Sequence, residues 1–146
     1  MKKILLLFVL AGLVFSTNAC KKKECPAPPK PEVWGVGTWN ASKIVDSNGQ
    51  EMDSSNPAVA CDLTDVMVLN ENHNGTSWKL PYYDNNSNTC QAYNLSVSSW
   101  AENIHTKKLY VTVTYQGNDF DFAFKYVDEN NMYYDATYDY YYEKQQ

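Results

Sequence analysis

Residues 109–127 limit the possible folds more than any other stretch. Leu109, Val111, Val113 and Tyr115 alternate with Tyr110, Thr112, Thr114 and Gln116. After Gly117-Asn118 the alternation resumes, with Phe120, Phe122, Phe124 and Tyr126 set against Asp121, Ala123, Lys125 and Val127. A period of two sends one set of side chains to a buried face and the other to water, which a helix of 3.6 residues per turn cannot do. Two such runs across a glycine turn predict an antiparallel hairpin.

The same logic extends along residues 34–146. Trp39 to Val45 reads as a strand closed by the turn cluster Asp46-Ser-Asn-Gly49, and residues 50–60 read as a loop broken at Ser54-Ser-Asn-Pro57. Asp65 to Asn70 is a short apolar strand. Asn74-Gly75 is a tight-turn dipeptide, and Thr76 to Leu80 returns and ends at Pro81. Gln91 to Trp100 carries Tyr93, Leu95, Val97 and Ser99 on one face. Glu129-Asn-Asn131 turns the chain into one or two last strands, Met132 to Glu143, which hold six tyrosines. No sustained helical period occurs after residue 19. Short strands at regular spacing, joined by tight turns, predict an all-β antiparallel meander closing into an up-and-down β-barrel.

Residues 1–33 are different. Met1-Lys-Lys precedes an apolar run from Ile4 to Phe15, and Ala19 precedes Cys20, which is signal-peptide anatomy over residues 1–19. A dozen apolar residues are too few for a permanent membrane span. The exit resembles a bacterial lipobox, with Thr17 where that motif prefers Leu, and so makes Cys20 the expected lipid attachment point. Ordinary cleavage near Ala19 without a lipid is the alternative. Residues 20–33 hold four lysines and four prolines and read as an extended tether. The expected residence is the envelope of a Gram-negative bacterium. The outer membrane is favoured because Lys21, and not Asp, stands after the cysteine.

From Glu32 onward six lysines face sixteen acidic residues, a balance of −10, and the chain has no arginine. Nucleic acid needs a basic footprint, so it is excluded as an expected partner. Of the cysteines at 20, 25, 61 and 90, an exported protein with Cys20 lipidated leaves Cys61 and Cys90 as the natural disulfide, with two buried thiols as the alternative. Cys25 has no evident partner.

Gly37-Thr38-Trp39 looks like the Gly-x-Trp opening of lipocalins. Cys61-Asp-Leu-Thr-Asp followed by a strand, Asn74-Gly75 and Cys90 is similar to the lipocalin-like domain of bacterial lipoproteins. The resemblance covers residues 34–144. It implies a barrel with Gly37 and Trp39 at one end and a cavity for a small hydrophobic ligand. The family lays an Arg over its Trp; here Lys125 or Lys144 would have to stand in. Phe120, Phe122, Phe124 and Tyr115 are the residues such a ligand would meet, and a filled core would use the same rings.

No catalytic or metal constellation competes with that reading, and no cofactor is expected. Asn70-x-Asn72-x-Asn74-Gly75 imitates half a calcium loop, but Pro81 stands where the bidentate Glu belongs. His73 and His105 lack ligand spacing, and no serine has a nucleophile-elbow context. Asp119 and Asp121 share one outward strand face, whereas glycoside hydrolysis needs carboxylates across a cleft. The expectation is a non-enzymatic binding protein. The second reading is a structural or contact module working through exposed tyrosines, with no protein partner identified.

Overall fold

The computed structural model describes residues 33–72 and 76–146. The signal peptide, Cys20, most of the tether, His73 and Asn74-Gly75 lie outside them. Eight strands run in sequence: β1 (Gly37–Val45), β2 (Val66–Leu69), β3 (Ser77–Asp84), β4 (Thr89–Asn103), β5 (Lys108–Tyr115), β6 (Asn118–Tyr126), β7 (Asn131–Asp135) and β8 (Asp139–Lys144). Each pairs antiparallel with the next, and β8 returns to β1, giving a closed barrel. The 109–127 hairpin forms as its alternation demands. Leu109 faces Phe124, Val111 faces Phe122 and Val113 faces Phe120 across β5 and β6. Gln116 and Gly117 take positive φ values of 51° and 78°, the two-residue turn that matches strand twist.

The core is the inner face. Trp39, Met67, Leu69, Leu109, Val111, Phe124 and Met132 have no exposed surface. Each large side chain buried in this way stabilises the barrel by about 1.5–3 kcal/mol. The outer face is polar, and Asp119 and Asp121 accept hydrogen bonds from Thr114 (2.6 Å) and Thr112 (2.7 Å) across the hairpin.

Four local features depart from the sequence reading. Residues 57–62 form a helix, α1 (Pro57–Asp62), where a loop was expected. Asn56 caps it by accepting from the Ala58 amide at 2.9 Å, and Pro57 opens the first turn. The residues that break a strand are those that start a helix. β3 continues through Pro81 to Asp84, because β2 pairs with it only as far as Lys79 and the strand beyond has an open edge, where proline is tolerated. Bulges between Ala41 and Lys43 and between Val97 and Ser99 re-phase β1 and β4. Trp100 consequently packs on the core while Ser99 is exposed.

Cys61, in the last turn of α1, is disulfide-bonded to Cys90 at the start of β4. Closing a loop of this length contributes about 3–4 kcal/mol in the chain-entropy model. The bond fixes α1 against the free edge of β3, at the end of the barrel where β1 finishes.

Candidate functional site

The two ends of the barrel are built differently. At the end where β1 begins, Trp39 is fully buried and its indole donates to the Gly35 carbonyl at 2.8 Å. Lys144, not Lys125, stands over it: its ammonium is 5.3 Å from the ring centre and donates to the Trp34 carbonyl at 2.8 Å. Lys125 instead pairs with Asp135 on the outside, at 2.7 Å. Gly37 has a φ of 143°, which disfavours other residues, and a Cβ there would come within 2.7 Å of Lys144 Cε, so that the lysine stem would have to move off the ring. Glu102 accepts from the Gly35 amide (2.7 Å) and the Tyr126 hydroxyl (3.1 Å). Burial and the Glu102 charge push the Tyr126 hydroxyl far above its ordinary range. This end is sealed.

The opposite end holds two adjoining chambers that share Leu80 and Phe122 as walls. The outer one, about 240 Å³, is lined by Tyr93, Leu95, Val113, Tyr115 and Phe120 as well. Tyr93 stacks on Tyr82 at 4.7 Å and meets Tyr115 edge-on at 5.3 Å, a chain of rings around the mouth. The inner one, about 200 Å³, lies among Asp62, Asp65, Trp78, Tyr134, Tyr140 and Tyr142. Each is smaller than the roughly 300–1,000 Å³ of a drug-sized site, and the pair reaches into that range.

Along β6 one face passes from core to cavity to solvent. Phe124 is fully buried against Trp78, Tyr134 and Tyr142 and lines neither chamber. Phe122 forms the shared wall, 4.7 Å and edge-on from Trp78. Phe120 is 47% exposed at the rim. The alternatives of filled core and ligand pocket are therefore both realised, at different depths. Of the four expected ligand-facing residues, Tyr115, Phe120 and Phe122 come together and Phe124 does not.

The inner chamber contains the group that sequence reading did not single out. Asp65 is 2% exposed. Its two carboxylate oxygens accept from Trp78 Nε1 at 2.6 Å and from the Tyr142 hydroxyl at 2.9 Å. Burial pushes its pKa up to about 7, against the pull of those two donors, and the nearby Asp62 charge adds to the rise. Burial also raises Asp62, whose carboxylate meets the Tyr140 hydroxyl at 3.5 Å. Tyr140 is raised to about 12 by burial and by Asp62, and Tyr142 rises well above its usual range by burial and by Asp65.

Asp62 and Asp65 enter the sequence reading only within Cys61-Asp-Leu-Thr-Asp, Asp65 also as the first residue of the strand to Asn70. Strand parity could have found the second: Asp65, Met67 and Leu69 are spaced by two, and the last two are inward residues of β2. Asp62 had no such signal, because its position depends on the α1 turn and the disulfide. Among the described residues no group of three His, Cys, Asp or Glu side chains could hold a metal ion, and the one ion pair is Lys125–Asp135.

The fold and site define a closed eight-stranded antiparallel barrel with one sealed and one chambered end. No family model, no curated protein and no solved structure matches the chain.

Proposed function

We propose that this chain is a lipid-anchored envelope protein with a lipocalin-like barrel that holds a small hydrophobic ligand at its chambered end, without catalysing a reaction. The observation that carries the reading is the outer chamber. A concave site walled by Leu80, Tyr93, Tyr115, Phe120 and Phe122 at the mouth of a barrel is the form that apolar ligand sites take. The sealed end supports the lipocalin likeness, since Gly37, Trp39 and a cation across the ring occupy the places that family would give them.

Mass spectrometry of organic extracts of the purified full chain tests the ligand. The expected result is a small apolar molecule retained by the wild type and lost on Phe122→Trp, which enlarges the wall common to both chambers. A wild type that is empty from every extract and binds no added apolar probe overturns it. The anchor rests on the residues around Cys20 alone. Labelled fatty acid should be incorporated by the full chain and not by Cys20→Ala; incorporation that survives the substitution removes the anchor from that position.

A further inference from the structure

We propose that the inner chamber is a selectivity site for an organic cation, a protonated or quaternary amine carried on an apolar body. Its head would sit against Asp62 and Asp65 within Trp78, Tyr134, Tyr140 and Tyr142, and its body would extend past Phe122 to the outer chamber. The inference rests on the proposed ligand-binding role of the barrel and names the class of ligand.

Charge is the first argument. Two carboxylates line a small, mainly apolar chamber, and among the described residues neither forms an ion pair with a lysine. A carboxylate offers about four acceptor sites, and Asp65 uses two of them, for Trp78 and Tyr142. Buried charge is costly until an opposite charge joins it. At the sealed end the corresponding charged groups are met by the protein's own backbone: Glu102 by the Gly35 amide and Lys144 by the Trp34 carbonyl. In the inner chamber the carboxylates are met only by neutral side-chain donors among the described residues, Trp78 and Tyr142 on Asp65 and Tyr140 on Asp62, and by no cation.

The walls are the second argument. Trp and Tyr rings attract cations through their negative faces, and a cluster of such rings around a carboxylate is the arrangement that distinguishes an ammonium head from a neutral group of the same shape. Size agrees. The chamber, about 200 Å³, has room for a small substituted ammonium. The same acids would repel a fatty acid carboxylate, so anionic amphiphiles are selected against. The −10 balance of residues 32–146 draws cations toward the barrel from a distance.

Ionisation of Asp65 couples binding to pH. The titratable groups facing it are Asp62 of α1, Tyr134 of β7, and Tyr140 and Tyr142 of β8. The raised Tyr140 and Tyr142 stay neutral between pH 5.5 and 8. A permanently charged ligand should therefore bind more tightly as pH rises through about 7, as Asp65 loses its proton.

Titration calorimetry on the full chain at pH 8 compares phenyltrimethylammonium with tert-butylbenzene, which has carbon in place of the charged nitrogen. The expected preference for the cation is about tenfold or more. Asp65→Asn, which preserves shape and an acceptor for Trp78, should bring the ratio close to one and leave tert-butylbenzene affinity within about twofold. Asp62→Asn, at a half-buried position where folding is safe, should reduce the ratio about threefold and stands in if Asp65→Asn fails to fold. Equal or tighter binding of the neutral isostere by the wild type, or a preference that survives both substitutions, overturns the cation site and leaves the apolar ligand reading intact. Failure of both probes to bind overturns the two together.

Discussion

The sealed and chambered ends of the barrel use the same kinds of residue to opposite effect. Each has a buried tryptophan donating to an oxygen: Trp39 to the Gly35 carbonyl and Trp78 to the Asp65 carboxylate. Each has a carboxylate that accepts a tyrosine hydroxyl, Glu102 from Tyr126 and Asp65 from Tyr142. At the sealed end a lysine lies across the tryptophan and donates to the Trp34 carbonyl. At the other end the counterpart of that lysine is missing among the described residues, and two chambers occupy the space. Completed packing serves stability, and incomplete packing leaves room for a ligand.

Substitution should separate the two ends by size of effect. Trp39→Ala removes a fully buried ring and the group under Lys144, and should destabilise the barrel by about 3–5 kcal/mol in chemical denaturation. A loss below ~1 kcal/mol would mean that the sealed end is not the finished structure described here.

The next effect belongs to Asp65. Its pKa is raised in the folded state, so folding takes up a proton between the unfolded value near 4 and the folded value of about 7. The folded chain is therefore favoured most below pH 4, and that contribution is lost as pH rises to about 7. The total is at most about 4 kcal/mol. Asp46, Asp53, Asp84 and Asp128, held low chiefly by turn hydrogen bonds, act in the opposite direction and only in more acidic solution. Denaturation midpoints measured from pH 5 to 8 should fall for the wild type and fall much less for Asp65→Asn, in which only the raised Asp62 still acts in that direction. A wild-type profile as level as that of the variant would mean that Asp65 is not the buried group the chamber requires.

The smallest effect is expected at the rim. Phe120→Ala, at a half-exposed position, should change stability by within about 0.5 kcal/mol while weakening retention of an apolar ligand. A large stability loss there would make Phe120 part of the core and would blur the contrast between the ends.

Much of the barrel was legible because period-two alternation is a local signal. β5 and β6, their turn, and the strand nature of β1, β2, β7 and β8 can all be read from neighbouring residues. The features that escaped depend on neighbours in space. The bulges at Ser42 and Ser98 reverse the face of the residues after them, so Trp100 turns inward although its spacing from Val97 suggests otherwise. Pro81 reads as a strand end unless the short length of β2 is known. Asn56-Pro57 begins a helix that the disulfide then fixes beside β3. At the site, Tyr115, Phe120 and Phe122 were accessible from alternation. The depth at which core becomes cavity was not, nor was the meeting of Asp62, Asp65, Tyr140 and Tyr142 from α1, the start of β2 and β8.

The four tryptophans allow the contrast to be measured in one experiment. Trp39 and Trp34 belong to the sealed end, Trp100 donates to the Asn70 carbonyl at 3.2 Å, and Trp78 lines the inner chamber. Indole ¹⁵N–¹H NMR spectra of the full chain, recorded while tert-butylbenzene is added, report on each separately. The expected result is a saturable shift of the Trp78 indole with Trp39 unmoved. A shift of Trp39 while Trp78 stays in place, or no shift of any indole, would contradict a barrel sealed at one end and receptive at the other.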